Sequence, residues 1–231
     1  MAVKIFFHAC AINHYAQVTH ELLQAIMLSG LYEDVQAIYC FVTGPDEVAV
    51  RALTNLLFEY GKKIHVVKIS VDDRTFERFT LTNIHKYVEK DDRVLYIHTK
   101  GVTHTDASKV SNTSIWRRAI TYHLIGKYKQ CLNTLGPCDV VGALYNANPA
   151  PHFQGNFWWV TGAYFLTLPT TIGPGYLEPE VAFLFQNNPR YFSMAQVPRS
   201  INDLYKEPFY PRYYIDTPAQ HLSLTSSQSS P

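Results

Sequence analysis

The first hundred residues alternate between short apolar runs and apolar stripes at helical spacing. Residues 3–8 form a run fit for a buried strand. Over residues 17–28, Val18, Leu22, Leu23, Ile26 and Met27 recur at helical spacing, with Gly30 as the stop. Residues 35–42 make a second strand, closed by Gly44 and Pro45, and Asp46 can cap a helix over 47–60 that ends near Gly61. A third strand over 64–71, a third helix over 76–88 and a fourth strand over 94–98 complete the series. Strand and helix in alternation predict a mostly parallel sheet with right-handed crossovers and helices on both faces, an α/β fold of Rossmann-like type.

After Gly101 the pattern changes. Residues 103–112 are polar and read as a loop, 116–135 as one longer helix, and 139–144 as another strand. From Asn146 onward, prolines, glycines and aromatics with irregular spacing predict loops and short antiparallel strands. Residues 222–231 predict a disordered tail. The expectation is one domain over 1–221, divided at Gly101, with 102–221 as its irregular second half.

Composition narrows the possibilities. The 231 residues are 47% hydrophobic and 17% charged, as in a globular protein able to bury a large core. With a net charge of +1, no broad field favours nucleic acid or an anionic membrane, so recognition of a charged ligand has to be local. Cys10, Cys40, Cys131 and Cys138 form no Cys-x-x-Cys pair, which argues against a zinc site. The amino terminus reads as a first strand and not a signal peptide, and no window reaches the about 18 apolar residues that span a bilayer. A reduced, cytoplasmic setting is the expectation.

Two stretches carry the chemistry. Residues 94–101 read as a buried strand running out onto His98, Lys100 and Gly101, and a strand end is where an open α/β sheet places its ligand. Lys100 can supply the positive charge that a departing phosphate needs. His98 can bond a phosphate oxygen or serve as one metal ligand; the plain alternative for both residues is a surface turn. Residues 152–159 set His152, Asn156, Trp158 and Trp159 around Gly155, a mixture suited to a polar ring with an apolar face, or equally to an aromatic core strand. Asp72 and Asp73 follow the third strand at the ligand end and can take a ribose hydroxyl or a base imide, or form a solvated turn. His8, at the end of the first strand, opens at the same edge. Arg117 can reach a phosphate or pair with a surface acid.

In order along the chain, Asn13, Glu21, residues 29–32 (Ser-Gly-Leu-Tyr), 96–101 (Tyr-Ile-His-Thr-Lys-Gly), Trp116-Arg117 and the His-x-x-Gly-Asn-Phe-Trp-Trp motif of 152–159 carry a family resemblance. Over roughly residues 3–185 the sequence resembles small nucleotide-sugar glycosyltransferases of the GT-A fold, found in bacterial surface-polysaccharide loci and large DNA viruses. The resemblance implies a nucleotide-binding half over 1–101 and an acceptor-binding half beyond it. It also implies sugar transfer from a nucleoside diphosphate donor, expected to be UDP-linked, to a glycan hydroxyl. Glu180 falls where such proteins tend to carry an acid and is the expected base, with Glu178 nearby as a competitor. GT-A enzymes usually carry Asp-x-Asp at the end of the fourth strand to hold a divalent cation. Here that place reads His98-Thr99-Lys100, which leaves a metal requirement open. A non-catalytic carbohydrate-binding protein and another nucleotide-using transferase are the alternatives.

Overall fold

β1 (Val3–Cys10) is apolar almost throughout because it lies inside the sheet with a strand on either side. On one side β2 (Ala37–Thr43) and then β3 (Ile64–Ser70) continue in parallel; on the other, β4 (Arg93–His98) pairs with β1 in parallel. The structure is a computed structural model that describes residues 1–175, 177–181, 183–198 and 201–214. The tail expected over 222–231 lies outside the described residues. The second half of the chain adds β5 (Val140–Gly142), the small hairpin of β6 (Tyr145–Asn146) and β7 (His152–Phe153), then β8 (Trp158–Thr161) and β9 (Tyr191–Ser193). Among the described residues the main sheet has seven strands in the order β3-β2-β1-β4-β8-β5-β9, mostly parallel, with β8 antiparallel to both its neighbours.

The two faces are covered differently. The long helices α1 (Tyr15–Leu28), α2 (Glu47–Phe58), α3 (Ala107–Thr121) and α4 (Tyr128–Thr134) share one core with the side chains on one side of the sheet, among them Leu22, Leu53, Ile120 and Trp159. Phe6, Phe41, Tyr96, Trp158 and Phe165 point to the other side. Short helical turns cover that face. The helix expected over 76–88 is there, but broken into turns at Arg78–Leu81 and Ile84–Lys86. The apolar stripe is real, since Leu81, Ile84 and Val88 are buried. However, the Thr82 hydroxyl donates to the Arg78 carbonyl at 2.7 Å and the Asn83 amide to the Phe79 carbonyl at 2.8 Å. Such side-chain competition for backbone acceptors interrupts helices.

α3 also departs from expectation, starting at Ala107 where a loop over 103–112 was expected. Asp106 caps it, its carboxylate accepting from the Lys109 N–H at 2.9 Å. The first turns of α3 face solvent, so apolar spacing does not mark them. The stretch expected as one helix to Leu135 is interrupted by a π-type turn at Tyr122–Gly126, which separates α3 from α4.

One polar contact holds the sheet's lower end. Lys4 and Asp92 pair at 2.7 Å with side chains only 6% and 3% exposed, Lys4 also donating to the Tyr87 carbonyl and Asp92 accepting from the Glu89 N–H. Asp92→Ala leaves a buried ammonium uncompensated, so urea unfolding should show a loss of about 3–5 kcal/mol. A loss below about 1 kcal/mol shows that Lys4 re-solvates easily.

Candidate functional site

The parallel strands β1 and β4 end side by side, with His8 opposite His98 in register. The chain connects β1 to β2 on one side of this pair and reaches β4 on the other, so this is the point where the winding of the sheet reverses. Open α/β sheets bind ligands in the crevice such a reversal leaves. A cavity of about 290 Å³ lies there, lined among others by His8, Cys10, Asp73, Arg74, Glu77, His98, Lys100, Tyr205 and the segment around Glu180. The loops that form it are tied down. The Thr99 side chain accepts from the Cys10 N–H at 3.0 Å, and the Asn13 amide donates to the Val102 carbonyl at 2.7 Å.

Lys100 is the buried cation of this cavity. Its side chain is 5% exposed, with Nζ 3.7 Å from the centre of the Trp116 ring and 5.8 Å from that of Tyr205. One glycine turns the chain just after it and another leaves room for its stem. Gly101 has a φ of 91°, the left-handed region open to glycine, where the chain turns after β4. Gly155 has a φ of 94°, and a Cβ there would sit 2.4 Å from Ile120 and 3.1 Å from the Lys100 stem.

Two carboxyl groups face this ammonium. Glu77 accepts from the Tyr96 hydroxyl at 2.8 Å and from the Asn156 amide at 2.5 Å. Burial, and then the neighbouring charge of Glu180, push its carboxyl up to about 7 against these stabilising contacts, so it is partly protonated at neutral pH. Glu180 accepts from the Gly155 N–H at 2.8 Å. Burial opposes its ionisation, but the Lys100 charge and then the Gly155 N–H outweigh that and hold it below the usual carboxylate range. One carboxyl raised and its neighbour lowered is the arrangement by which one site holds an acid and a base at one pH.

His98 is neutral. Burial, and then the Lys100 charge, bring it down to about 3. Its Nε2 donates to the Gly155 carbonyl at 2.9 Å, so the proton resides there, and the bare Nδ1 faces a Glu77 oxygen 3.7 Å away. His8, brought down to about 3 chiefly by burial, meets the Thr80 hydroxyl at 2.9 Å. For the metal possibility raised for His98, one ring nitrogen is already spent. Among the described residues no group of three or more His, Cys, Asp or Glu side chains is placed to hold an ion. Lys100 is the buried cation among the residues that line the cavity.

The expected site residues are distributed as follows. His8, Asp73, His98, Lys100 and Glu180 line the cavity. Asp72 lies beside it, capping a short helical turn and pairing with Arg74 at 3.2 Å. Arg117 does not line the cavity: it is 2% exposed, donates to the Lys100 carbonyl at 2.8 Å and pairs with Glu21 at 2.7 Å, holding the Lys100–Gly101 turn from behind. Trp158 and Trp159 are 1% and 0% exposed on opposite faces of the sheet, so protein atoms cover the indole faces expected to stack on a sugar. Asn156 stands one layer back, its oxygen accepting from the Trp158 indole at 2.8 Å while its amide serves Glu77. His152 is buried and donates to the Ala150 carbonyl at 2.8 Å. Sequence reasoning did not identify Glu77, Tyr96 or Tyr205. Glu77 sits inside an apolar stripe, and its one readable signal is its place shortly after β3 at the ligand end.

Residues 8–171 match a family model described as Domain of unknown function (DUF8361). No curated protein matches the sequence. Among solved structures, HddC from Yersinia pseudotuberculosis is similar with a TM-score of 0.49 and 10% identity over 83% of this chain and 88% of that one. The galactosyltransferase LgtC, in complex with donor and acceptor sugar analogs, gives 0.40 and 11% over 72% of this chain. An active-site mutant of LgtC gives 0.43 and 12% over the same share. The chain spans 60% of the length of both LgtC structures. Likeness this distant assigns no chemistry to the cavity.

The raised Glu77 carboxyl has a consequence for stability. Its folded value, about 7, lies above its ordinary 4.5, so the folded state binds this proton more tightly than the unfolded chain. Relative stability is therefore full below about pH 4.5 and falls as pH rises through 7, by about 3 kcal/mol in total. Glu77→Gln keeps the shape and removes the titration. Urea midpoints measured at about pH 5 and about pH 8 should show the variant gaining on the wild type at the higher pH. An equal gap at both values overturns the assignment of this proton to Glu77.

Proposed function

We propose that this chain, which belongs to the family described as Domain of unknown function (DUF8361), is a glycosyltransferase that moves a sugar from a nucleoside diphosphate, taken as UDP-linked, to a glycan hydroxyl. The observation that carries this reading is the buried Lys100 ammonium beside Glu77 and Glu180 at the ends of β1 and β4. A site that expels a diphosphate needs a fixed positive charge where the leaving oxygen develops its own. It also needs a base that is ionised at neutral pH to take the acceptor's proton. Lys100 supplies the first and Glu180 the second. The resemblance of residues 96–101 and 152–159 to nucleotide-sugar enzymes supports the same assignment.

In the proposed step, Glu180 takes the proton of the acceptor hydroxyl as that oxygen bonds the anomeric carbon. The bond from this carbon to the β-phosphate oxygen breaks, and its electron pair leaves on the diphosphate beside Lys100. His8, Asp73 and the bare Nδ1 of His98 offer polar contacts to the donor. Glu77, when protonated, adds a hydrogen-bond donor without adding negative charge beside the diphosphate. Asn156 acts through Glu77, and Arg117 through the turn that carries Lys100.

The carboxyl pair also favours a second reading, hydrolysis of a glycosidic bond with Glu77 as acid and Glu180 as its partner. The two separate cleanly, because a hydrolase consumes a glycoside with no nucleotide attached. For transfer, UDP should raise the thermal midpoint of the wild-type protein. Lys100→Met, which keeps the stem packed against Gly155, should abolish that shift and lower kcat/KM by roughly a hundredfold or more while the fold survives. Unchanged UDP binding and turnover in this variant remove Lys100 from the reaction.

A further inference from the structure

The two oxygens of the Glu77 carboxyl have different surroundings, and a short chain of hydrogen bonds fixes the difference. The Trp158 indole can only donate, and it donates to the Asn156 side-chain oxygen at 2.8 Å. The Pro179 carbonyl can only accept, and the Asn156 amide nitrogen donates to it at 3.2 Å. These two partners leave the Asn156 amide one orientation, with its other N–H on Glu77 Oε2 at 2.5 Å. The Tyr96 hydroxyl, on β4, donates to that same oxygen at 2.8 Å. Both lone pairs of Oε2 are then used. Oε1 keeps its own, and the bare Nδ1 of His98 stands 3.7 Å from it, longer than a hydrogen bond. A proton taken up by this carboxyl therefore goes to Oε1. Glu77 lines the first cavity, so this O–H is what the residue can offer a ligand there.

Charge around the carboxyl gives that proton a role. Glu77 is faced by Tyr96 and His98 from β4, by Lys100 from the turn after it, by Glu180 and by Tyr205. Burial keeps His98 neutral and the Tyr96 and Tyr205 hydroxyls protonated, so Lys100 and Glu180 bring the charges. A diphosphate carries more than one negative charge and Lys100 a single positive one. The excess favours the neutral form of a neighbouring carboxyl. Glu77 is the carboxyl already pushed up by burial, whereas Lys100 and the Gly155 N–H hold Glu180 low. We infer that Tyr96 is a positioning residue that, with Asn156, directs a proton to Oε1 of Glu77, and that a nucleoside diphosphate binds together with this proton. The proton comes from solvent on binding, stays on Oε1 as a hydrogen-bond donor to the diphosphate, and returns to solvent when the diphosphate leaves. The coupling to a nucleotide rests on the glycosyltransferase reading; the placement of the proton does not.

The test uses the full chain labelled with ¹³C at its glutamate carboxyls, and its binding of UDP from about pH 6 to about pH 9. In the free wild-type chain one carboxyl signal, missing from Glu77→Gln, should titrate at about 7. Tyr96→Phe removes a donor that favours the carboxylate and should move that midpoint up by about one pH unit. In Glu77→Gln the side-chain oxygen keeps both hydrogen bonds and an amide N–H stands in for the protonated Oε1. Wild-type affinity for UDP should therefore fall as pH rises through 7, while Glu77→Gln should bind about tenfold more tightly than wild type at about pH 8.5. Calorimetry in buffers of different ionisation enthalpy should show proton uptake by the wild type and none by this variant. An unmoved midpoint in Tyr96→Phe overturns the positioning, since a purely structural role lowers stability and leaves the midpoint in place. Proton uptake that persists in Glu77→Gln, or weaker UDP binding by it at the higher pH, overturns the coupling. Absence of UDP binding at every pH removes the nucleotide donor and the coupling with it, and the titration of the free chain still decides where the proton sits.

Discussion

A buried ammonium needs compensation, and the end of the sheet is organised around meeting that need for Lys100. Trp116 and Tyr205 give its charge aromatic faces, and Glu77 and Glu180 supply the nearby carboxyls that feel its field. The same field, after burial, keeps His98 neutral. Removing water raises the cost of each unpaired charge here and strengthens each paired one. Protonation states at this site are therefore properties of the group and not of single residues.

The surroundings hold that group in place from several elements. Arg117, on α3, holds the Lys100 carbonyl and is itself neutralised by Glu21 from α1. Asn156, at a φ of 52°, reaches Glu77 with its amide while its oxygen takes the Trp158 indole proton. Gly155 connects both sides of the site, its N–H on Glu180 and its carbonyl on His98. The motif around Gly155 thus bears on the chemistry by placing charges, with its indoles anchored in the two cores.

Much of the frame was legible in the residues. The first four strands and the first two helices follow the apolar spacing, because each buries one stripe or both faces of a strand and the periodicity records it. His98 and Lys100, singled out as polar residues at a strand end, and Glu180, singled out by the family resemblance, all line the cavity. The errors share one cause. The start of α3 faces solvent and is marked by Asp106 alone, while the stripe over 76–88 is interrupted by Thr82 and Asn83, whose local hydrogen bonds do not change the apolar period.

The sequence by itself determined the alternating α/β order, the near-neutral charge and the polar strand end at His98 and Lys100. These are local properties, expressed in spacing and composition. Only the tertiary structure decided that Glu77, more than a hundred residues before Glu180, stands beside it, that Arg117 turns to Glu21, and that Trp158 and Trp159 are covered. Those facts depend on which strand lies next to which, and the insertion of β8 between β4 and β5 is set by long-range packing. The perturbed carboxyl of Glu77 is likewise a product of burial and neighbouring charge, neither of which exists before the chain folds.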